Sequence, residues 1–274
     1  MHEIGMGPGQ CLPMVLARGL AVGLAAGLVS GAAHGADLLD DVTTRGTLRI
    51  ALEGSYPPFN FHDPQSGQLT GYDADVARLV AAGLGVKPQF VVSEWSAILP
   101  GLAGGKADVA VSQVHVTKAR QREFGFSAPY TYSAPQLIVR SNERASLRGL
   151  ADLKGRTVGV GQASVYEQQA RAVAGIGIRS YPAAAENLQD LAFGRIDAVL
   201  NDSLMVAYLL RNSSLPLRAG PRVGPVERTA VAFRGGNPRF KAAVDRTLET
   251  ARASGELRRL SLKWFGVDAS REAR

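Results

Sequence analysis

From Thr47 onward, short β-rich apolar runs alternate with stretches whose apolar residues recur at helical spacing, the pattern of a sheet with crossover helices. Strands are expected at 47–52, 89–92, 108–112, 136–139, 157–160, 197–200 and 229–233. A helix beginning near Asp73 puts Tyr72, Val76, Leu79 and Val80 on one face. It should stop near Gly83 or Gly85, because a glycine after the last turn adopts the left-handed conformation at no steric cost. Residues 237–253 and 256–265 read as helices whose apolar side is Phe240, Val244, Leu248, Leu257, Leu260 and Trp264, expected to pack back on the first part of the chain.

The pattern also repeats. Leu99, Leu102, Ala103, Gly105, Asp108 and Val111 recur at a constant offset of about 89 positions, found by internal comparison, as Leu188, Leu191, Ala192, Gly194, Asp197 and Leu200. Each copy reads as the end of a helix, a glycine turn and a buried strand, so the chain holds two similar α/β units. Ligands of open α/β sheets bind beyond the carboxyl ends of the strands. Those ends are Ser112 and Gln113 in the first copy, Asn201 and Asp202 in the second.

The N-terminus changes the setting. Arg18 precedes an uncharged run from Gly19 to Val29, too short to span a bilayer, and Ala33 and Gly35 place small residues three and one before a cut ahead of Ala36. Residues 1–35 are expected to be a signal peptide, cleaved near Gly35/Ala36 on export to the periplasm. Cys11 lies ahead of the apolar run, so the exported part is expected to have no thiol and to rely on its core. With 31 Lys and Arg against 24 Asp and Glu the net charge is +7. The basic residues are scattered, without a basic run interleaved with aromatics, and export points the same way: no nucleic-acid partner is expected.

Candidate chemistry gathers at the strand ends. Arg120 follows the first copy's strand, and guanidinium is shaped to hold a carboxylate by two parallel hydrogen bonds, although a lone Arg is ordinarily a solvated charge. Glu53 and Tyr56 follow the first strand and Trp95 the second; core packing is the alternative for both aromatics. Asp202 supplies the opposite charge from the second unit, and a site with a guanidinium on one side and a carboxylate on the other suits a zwitterion. Gly159, Gly161 and Ser164 resemble a dinucleotide turn lacking its third glycine, yet still offer backbone N–H groups and a hydroxyl at a helix start. Enzyme chemistry is poorly supplied: beyond the leader only His62 and His115 carry imidazoles, and there is no Gly-x-Ser-x-Gly elbow and no His pair at metal spacing. No metal and no cofactor are expected.

Together, Gly46 to Ile50, Tyr56-Pro57-Pro58-Phe59, Leu69 to Asp73, Gln113 to Arg120, Asp152 to Gly155, Gly194 to Ala198 and Lys263 to Gly266 resemble the bacterial extracellular solute-binding proteins of the polar amino-acid class, most closely the cystine-binding type, over roughly Arg45 to Asp268. The resemblance implies a two-lobed periplasmic-binding-protein fold (type II), each lobe a mixed, mainly parallel sheet flanked by helices. Lobe 1 would be residues 36–133 plus 229–274 and lobe 2 residues 134–228, joined by crossover strands near 132–134 and 226–230. It implies closure on an amino acid and delivery to an ABC importer permease by a monomer without turnover. Arg120 would clamp the ligand carboxylate, Asp202 take its ammonium, Tyr56 and Trp95 flank its side chain, and Glu53 help at the polar end. Ser112, Gln113, His115, Ser164 and the main chain at Val165 would complete the shell. The family pattern carries a Ser or Thr where this chain has His115, and a Gly followed by Thr or Ser where it has Ala163 and Ser164; His115 reads equally as a ligand contact or as a satisfied core histidine. Alternatives are a cyclohexadienyl or arogenate dehydratase-like enzyme on the same fold, with Glu167 as its acid, and a subunit presenting ligand to a membrane sensor.

Overall fold

The computed structural model describes residues 37–272; the leader, Cys11 and the expected cleavage point lie outside them. The chain runs α1 (Leu38–Arg45), β1 (Thr47–Leu52), β2 (Ser55–Tyr56), β3 (Asn60–His62), β4 (Leu69–Thr70), α2 (Tyr72–Gly83), β5 (Lys87–Val92), α3 (Trp95–Ala103) and β6 (Val109–Ala110). It continues through β7 (Phe124–Ser133), β8 (Pro135–Arg140), β9 (Thr157–Gly161), α4 (Val165–Arg171), β10 (Gly177–Tyr181), α5 (Ala184–Ala192), β11 (Ala198–Asp202) and α6 (Ser203–Asn212). It ends with β12 (Leu217–Arg222), β13 (Glu227–Arg234), α7 (Pro238–Ala253) and α8 (Glu256–Phe265).

These form a two-lobed α/β fold on two five-stranded sheets, ordered β5-β1-β6-β13-β7 and β10-β9-β11-β8-β12. The two sheets share one plan. In each, the first three strands pair in parallel and the last two join antiparallel. β7 passes directly into β8 at Ala134 and the chain returns from β12 to β13; in each sheet the strand entering from the other lobe, β13 or β8, runs against the strands built by helical crossovers, and the outermost strand, β7 or β12, pairs antiparallel with it. Side chains alternate across each sheet as the pleat requires. Leu48 and Ile50 enter one core and Ala51 another; Leu137 and Val139 likewise separate from Ile138.

The sequence echo is an echo in three dimensions. α3 ends at a turn containing Gly105 (φ 75°) and α5 at one containing Gly194 (φ 74°), a backbone region that glycine enters without penalty. The aspartate that follows pins the neighbouring strand in both copies. Asp108 accepts the Arg49 N–H at 2.7 Å and donates its own N–H to the Arg49 carbonyl at 2.9 Å; Asp197 does the same with Thr157, at 2.8 Å each way.

α2 spans the expected residues, with Tyr72, Val76 and Val80 fully buried and Leu79 partly so. α7 and α8 pack on α2, α1 and β7, and Phe240, Val244, Leu248 and Leu257 are wholly buried. Trp264 is only partly covered; its Nε1–H donates to Asp75 at 2.8 Å. No helix among the described residues is long and apolar enough to cross a membrane.

Candidate functional site

A cleft enclosing about 600 Å³ of empty space lies between the carboxyl ends of the strands in the two sheets. From the first lobe it is lined by Glu53 after β1, Tyr56, Trp95 at the start of α3, and Ser112, Gln113 and His115 after β6. From the second come Gly161, Ser164, Val165 and Tyr166 around the start of α4, Pro182 to Ala184 and Asn187 at the start of α5, and Asn201 at the end of β11. Eight of the ten sequence candidates therefore meet in one cavity. Arg120 and Asp202 are not among the residues that line it.

The first-lobe wall is held by a buried polar network. Asn60 is fully buried and satisfies four groups: its Oδ1 accepts the N–H of Glu53 (3.0 Å) and of Gly54 (2.8 Å), and its Nδ2 donates to Asp73 (2.9 Å) and Ser112 Oγ (3.3 Å). Asp73 also accepts from Tyr130 OH at 2.9 Å and Gln113 Nε2 at 2.7 Å. Burial pushes its carboxyl up to about 6 against those three donors. Gln113 sits at φ 48°, uncommon for a residue with a side chain, and the turn points its amide away from solvent. Nε2 goes to Asp73, and Oε1 accepts Thr229 Oγ1 at 3.1 Å. Gln113 thus lines the cleft while its amide is committed to the wall.

Glu53 is less constrained. Its side chain accepts one hydrogen bond, from Ser55 Oγ at 3.1 Å, and burial pushes its carboxyl up to about 7. Arg120 stacks over the Trp95 ring at 5.4 Å, and its Nη1 donates to the His115 carbonyl at 3.2 Å. Burial lowers its pKa, partly offset by the charge of Glu227. His115 lines the cavity, and its Nε2 lies 3.0 Å from Glu227 Oε2 and 3.4 Å from Tyr166 OH.

Asp202 is 1% exposed and caps α6, accepting the Leu204 N–H at 2.8 Å through Oδ1. Its Oδ2 accepts Ser133 OH at 2.5 Å and Tyr166 OH at 3.1 Å. Burial pushes its carboxyl up while Ser133 and His115 act the other way. Asn201, one residue earlier, faces the cleft instead, where its Oδ1 accepts Tyr56 OH at 2.6 Å, tying the lobes together. Burial, with the charges of Asp202, Glu53 and Asp73, keeps that phenol far above its ordinary range and hence protonated as a donor. Ser164 Oγ caps α4 by accepting the Glu167 N–H at 3.1 Å.

Glu167 itself does not line the cleft. Its carboxylate accepts Ser180 Oγ at 2.6 Å, Arg171 Nη2 at 2.7 Å and the Ala163 N–H at 2.7 Å. Burial raises its pKa, but those partners outweigh it and leave the group below its usual range. Tyr166, Asn187 and the α5 start were not among the sequence candidates, and Asn201 was named only as a strand end, without a role. For Asn201 the signal was present, since it ends the strand of the second copy; for Asn187 the only hint was its place within the α5 helical run. No group of three or more His, Cys, Asp or Glu side chains among the described residues is arranged to hold a metal ion.

Comparison with known proteins places this geometry. The L-cystine-binding protein TcyJ of Escherichia coli (strain K12) is 36% identical over 235 residues, 85% of this chain and 88% of its own length. The L-cystine-binding protein TcyA of Bacillus subtilis (strain 168) is 32% identical over 236 residues, 86% and 87%. Among solved structures, the amino acid ABC transporter substrate-binding protein AbpA of Streptococcus pneumoniae, bound to L-arginine, superposes with a TM-score of 0.79 at 27% identity, covering 85% of this chain and 100% of its own. The ancestral amino acid-binding protein AncCDT-1, a precursor of cyclohexadienyl dehydratase, gives 0.78 at 33% identity, covering 83% and 99%. The sequence model of the bacterial extracellular solute-binding proteins, family 3, matches residues 48–267. This chain belongs to the bacterial extracellular solute-binding proteins, family 3.

Proposed function

We propose that this chain is an exported receptor that closes its two lobes on a free amino acid and hands it to an ABC import permease, without chemical turnover. The observation that carries the reading is the cleft itself: polar groups from the strand ends of both sheets converge on one cavity, and Tyr56 and Asn201 bridge the lobes beside it. Arg120 forms no salt bridge with another described residue and spends one donor on a backbone carbonyl, so most of its fork is free for a ligand carboxylate. With the cation-binding role goes either Asp202, whose lone pairs are largely taken, or the less occupied Glu53. The remaining candidates, Tyr56, Trp95, Ser112, Gln113, His115, Ser164 and Val165, form the shell of that pocket.

The same reading sets lobe 1 at 36–133 plus 229–274 and lobe 2 at 134–228, a monomer in the periplasm after cleavage near Gly35/Ala36, and no nucleic-acid partner. Family membership and the names of the relatives support an extracellular, transport-linked role. The committed hydrogen bonds of Glu167 speak against its use as a cleft acid. One observation favours the enzymatic alternative, namely that Glu53 is a buried cleft carboxyl raised to about 7, suited to general acid work.

Calorimetric titration of residues 36–274, unfolded and refolded to strip carried-over ligand, decides between them. Saturable one-to-one binding of an L-amino acid without product supports the receptor. Product formed from arogenate or prephenate would replace it with the enzyme, and silence toward every amino acid would end the reading.

A further inference from the structure

Where the chain returns from the second sheet to the first, a carboxylate and an imidazole meet beside the cleft. Glu227 opens β13, and its Oε1 accepts the side-chain amide of Gln169 on α4. Its Oε2 is buried and makes no hydrogen bond, yet His115 Nε2 stands 3.0 Å from it. A neutral imidazole holds a carboxylate only through an aligned N–H, and that alignment is missing here, whereas an imidazolium attracts it from any direction. The contact therefore draws its strength from charge, when the ring is protonated. It is the one salt bridge of Glu227 among the described residues. An anionic oxygen buried without it would carry the desolvation cost of an unsatisfied group, about 1–3 kcal/mol and more for a charge.

The pair belongs to one lobe and is faced by the other. His115 bridges Thr229 on β13, and the Val116 N–H donates to the Arg228 carbonyl at 2.9 Å, so the ring and Glu227 are held together by main chain. From the second lobe comes Tyr166, its ring edge-on to the imidazole at 5.5 Å between centres and its hydroxyl 3.4 Å from Nε2. That hydroxyl donates to Asp202 Oδ2 at 3.1 Å, which leaves its oxygen as an acceptor toward His115. A phenol oxygen with a buried carboxylate behind it favours a cation at the ring. Arg120, whose Nη1 donates to the His115 carbonyl at 3.2 Å, is the opposing charge, and Glu227 acts on it as well. Glu53 lines the same cleft.

We propose that Glu227 is a positioning residue for lobe closure: it pairs with His115 in the protonated form, and the charged ring draws Tyr166 and Asp202 of the second lobe onto the first, so that ligand affinity rises as pH falls. This inference rests on the amino-acid receptor reading and adds to it a proton as a second effector. Imidazole is the side chain that ordinarily changes charge between pH 5 and 8. By linkage, protonation and ligand binding strengthen each other by the same factor. The contribution is present where the ring is charged and lost as pH rises.

The test is calorimetry on the stripped protein at pH 6 and pH 8, with the standard L-amino acids and L-cystine as probes. The probe that the wild type binds most tightly is carried through the variants. Glu227→Gln removes the charge and keeps an oxygen for Gln169. Relative to wild type it should lose about 5- to 50-fold in affinity at pH 6, the usual size of a coupling between two binding events, and stay within about threefold at pH 8. Titration of Glu53 or of the probe itself acts on both proteins alike and cancels in that ratio. His115→Gln should show the same excess loss at pH 6 over its loss at pH 8, which keeps the inference testable should Glu227→Gln fold poorly. Equal loss at both pH values in a folded variant, or no loss at pH 6, overturns the inference and leaves the receptor reading standing. Binding of no probe by the wild type overturns both.

Discussion

Glu53 connects protonation to both stability and binding. Because burial raises its carboxyl from 4.5 to about 7, the folded chain keeps a proton that the unfolded chain has already lost at intermediate pH. Its contribution is therefore neutral below about pH 4, turns unfavourable as pH rises through the window from 4.5 to 7, and is fully destabilising above it. Glu53→Gln should thus leave stability unchanged at pH 4 and raise it by about 1–2 kcal/mol at pH 8, a figure discounted for the partial exposure of the group; urea unfolding at the two pH values checks this. If a ligand ammonium docks there, binding at pH 6 should release up to one proton, visible as a buffer-dependent enthalpy. Arg120 gives the complementary prediction. Arg120→Ala removes the guanidinium from the Trp95 face and should cost about 2–5 kcal/mol of binding, as truncated buried charge pairs do, equivalent to roughly thirty-fold to several thousand-fold in affinity. A folded variant binding within threefold of wild type would show that the carboxylate is held elsewhere.

At the scale of elements, Asn60 makes the cleft wall a unit, since one side chain on β3 fixes the end of β1, the start of α2 and the loop after β6. Asn60→Ala leaves two buried N–H groups and part of Asp73 unpaired, and should cost about 2–5 kcal/mol; the urea midpoint measures it. In the second lobe the glycine turn resembled a dinucleotide turn only incompletely, and the structure gives Gly159 a packing reason instead: Asn187 and Ile196 approach its Cα too closely for any Cβ. Strands with buried faces, such as β1, β9 and β11, were legible in the apolar pattern. β10 was not, because as an edge strand it buries little beyond Tyr181, and neither was β12, an edge strand carrying Gly220 and Pro221. Pro129 hid β7 in the same way. In the site, strand-end position pointed to Glu53, Tyr56, Trp95, Ser112 and Gln113, the helix start to Ser164, and the family resemblance to His115 and Val165. Strand-end position could not tell Asn201 from Asp202, because adjacent residues of a strand face opposite ways, nor mark Asn187, because a polar residue on a helix ordinarily reads as a solvated one.

For the whole molecule, the decisive fact is how the lobes share apolar burial. The outer faces of the two sheets have separate cores, one around Ile98, Leu102 and Phe126, the other around Leu153, Val158 and Leu200. Between them runs a single cluster that takes Ile50, Val80, Phe240 and Phe265 from the first lobe together with Ile138, Leu191, Val199 and Leu204 from the second. α6 and α8 meet along it: Arg211 Nη2 donates to the Phe265 carbonyl at 3.1 Å, and Tyr208 lies 6.4 Å from Phe61 between ring centres. A lobe detached from this cluster would expose residues that are now almost fully buried, at about 25 cal/mol for each Å² of apolar surface. The ligand-free protein should therefore unfold in one transition, although its sheets and their outer cores are separate. Both tryptophans, Trp95 and Trp264, belong to first-lobe elements, whereas far-ultraviolet circular dichroism reports on both sheets. Urea midpoints from tryptophan fluorescence and from dichroism should coincide, as two-state behaviour requires. Midpoints that separate, with a second dichroism step after the fluorescence change is complete, would mean that the shared cluster is too weak to couple the lobes and that each folds on its own core.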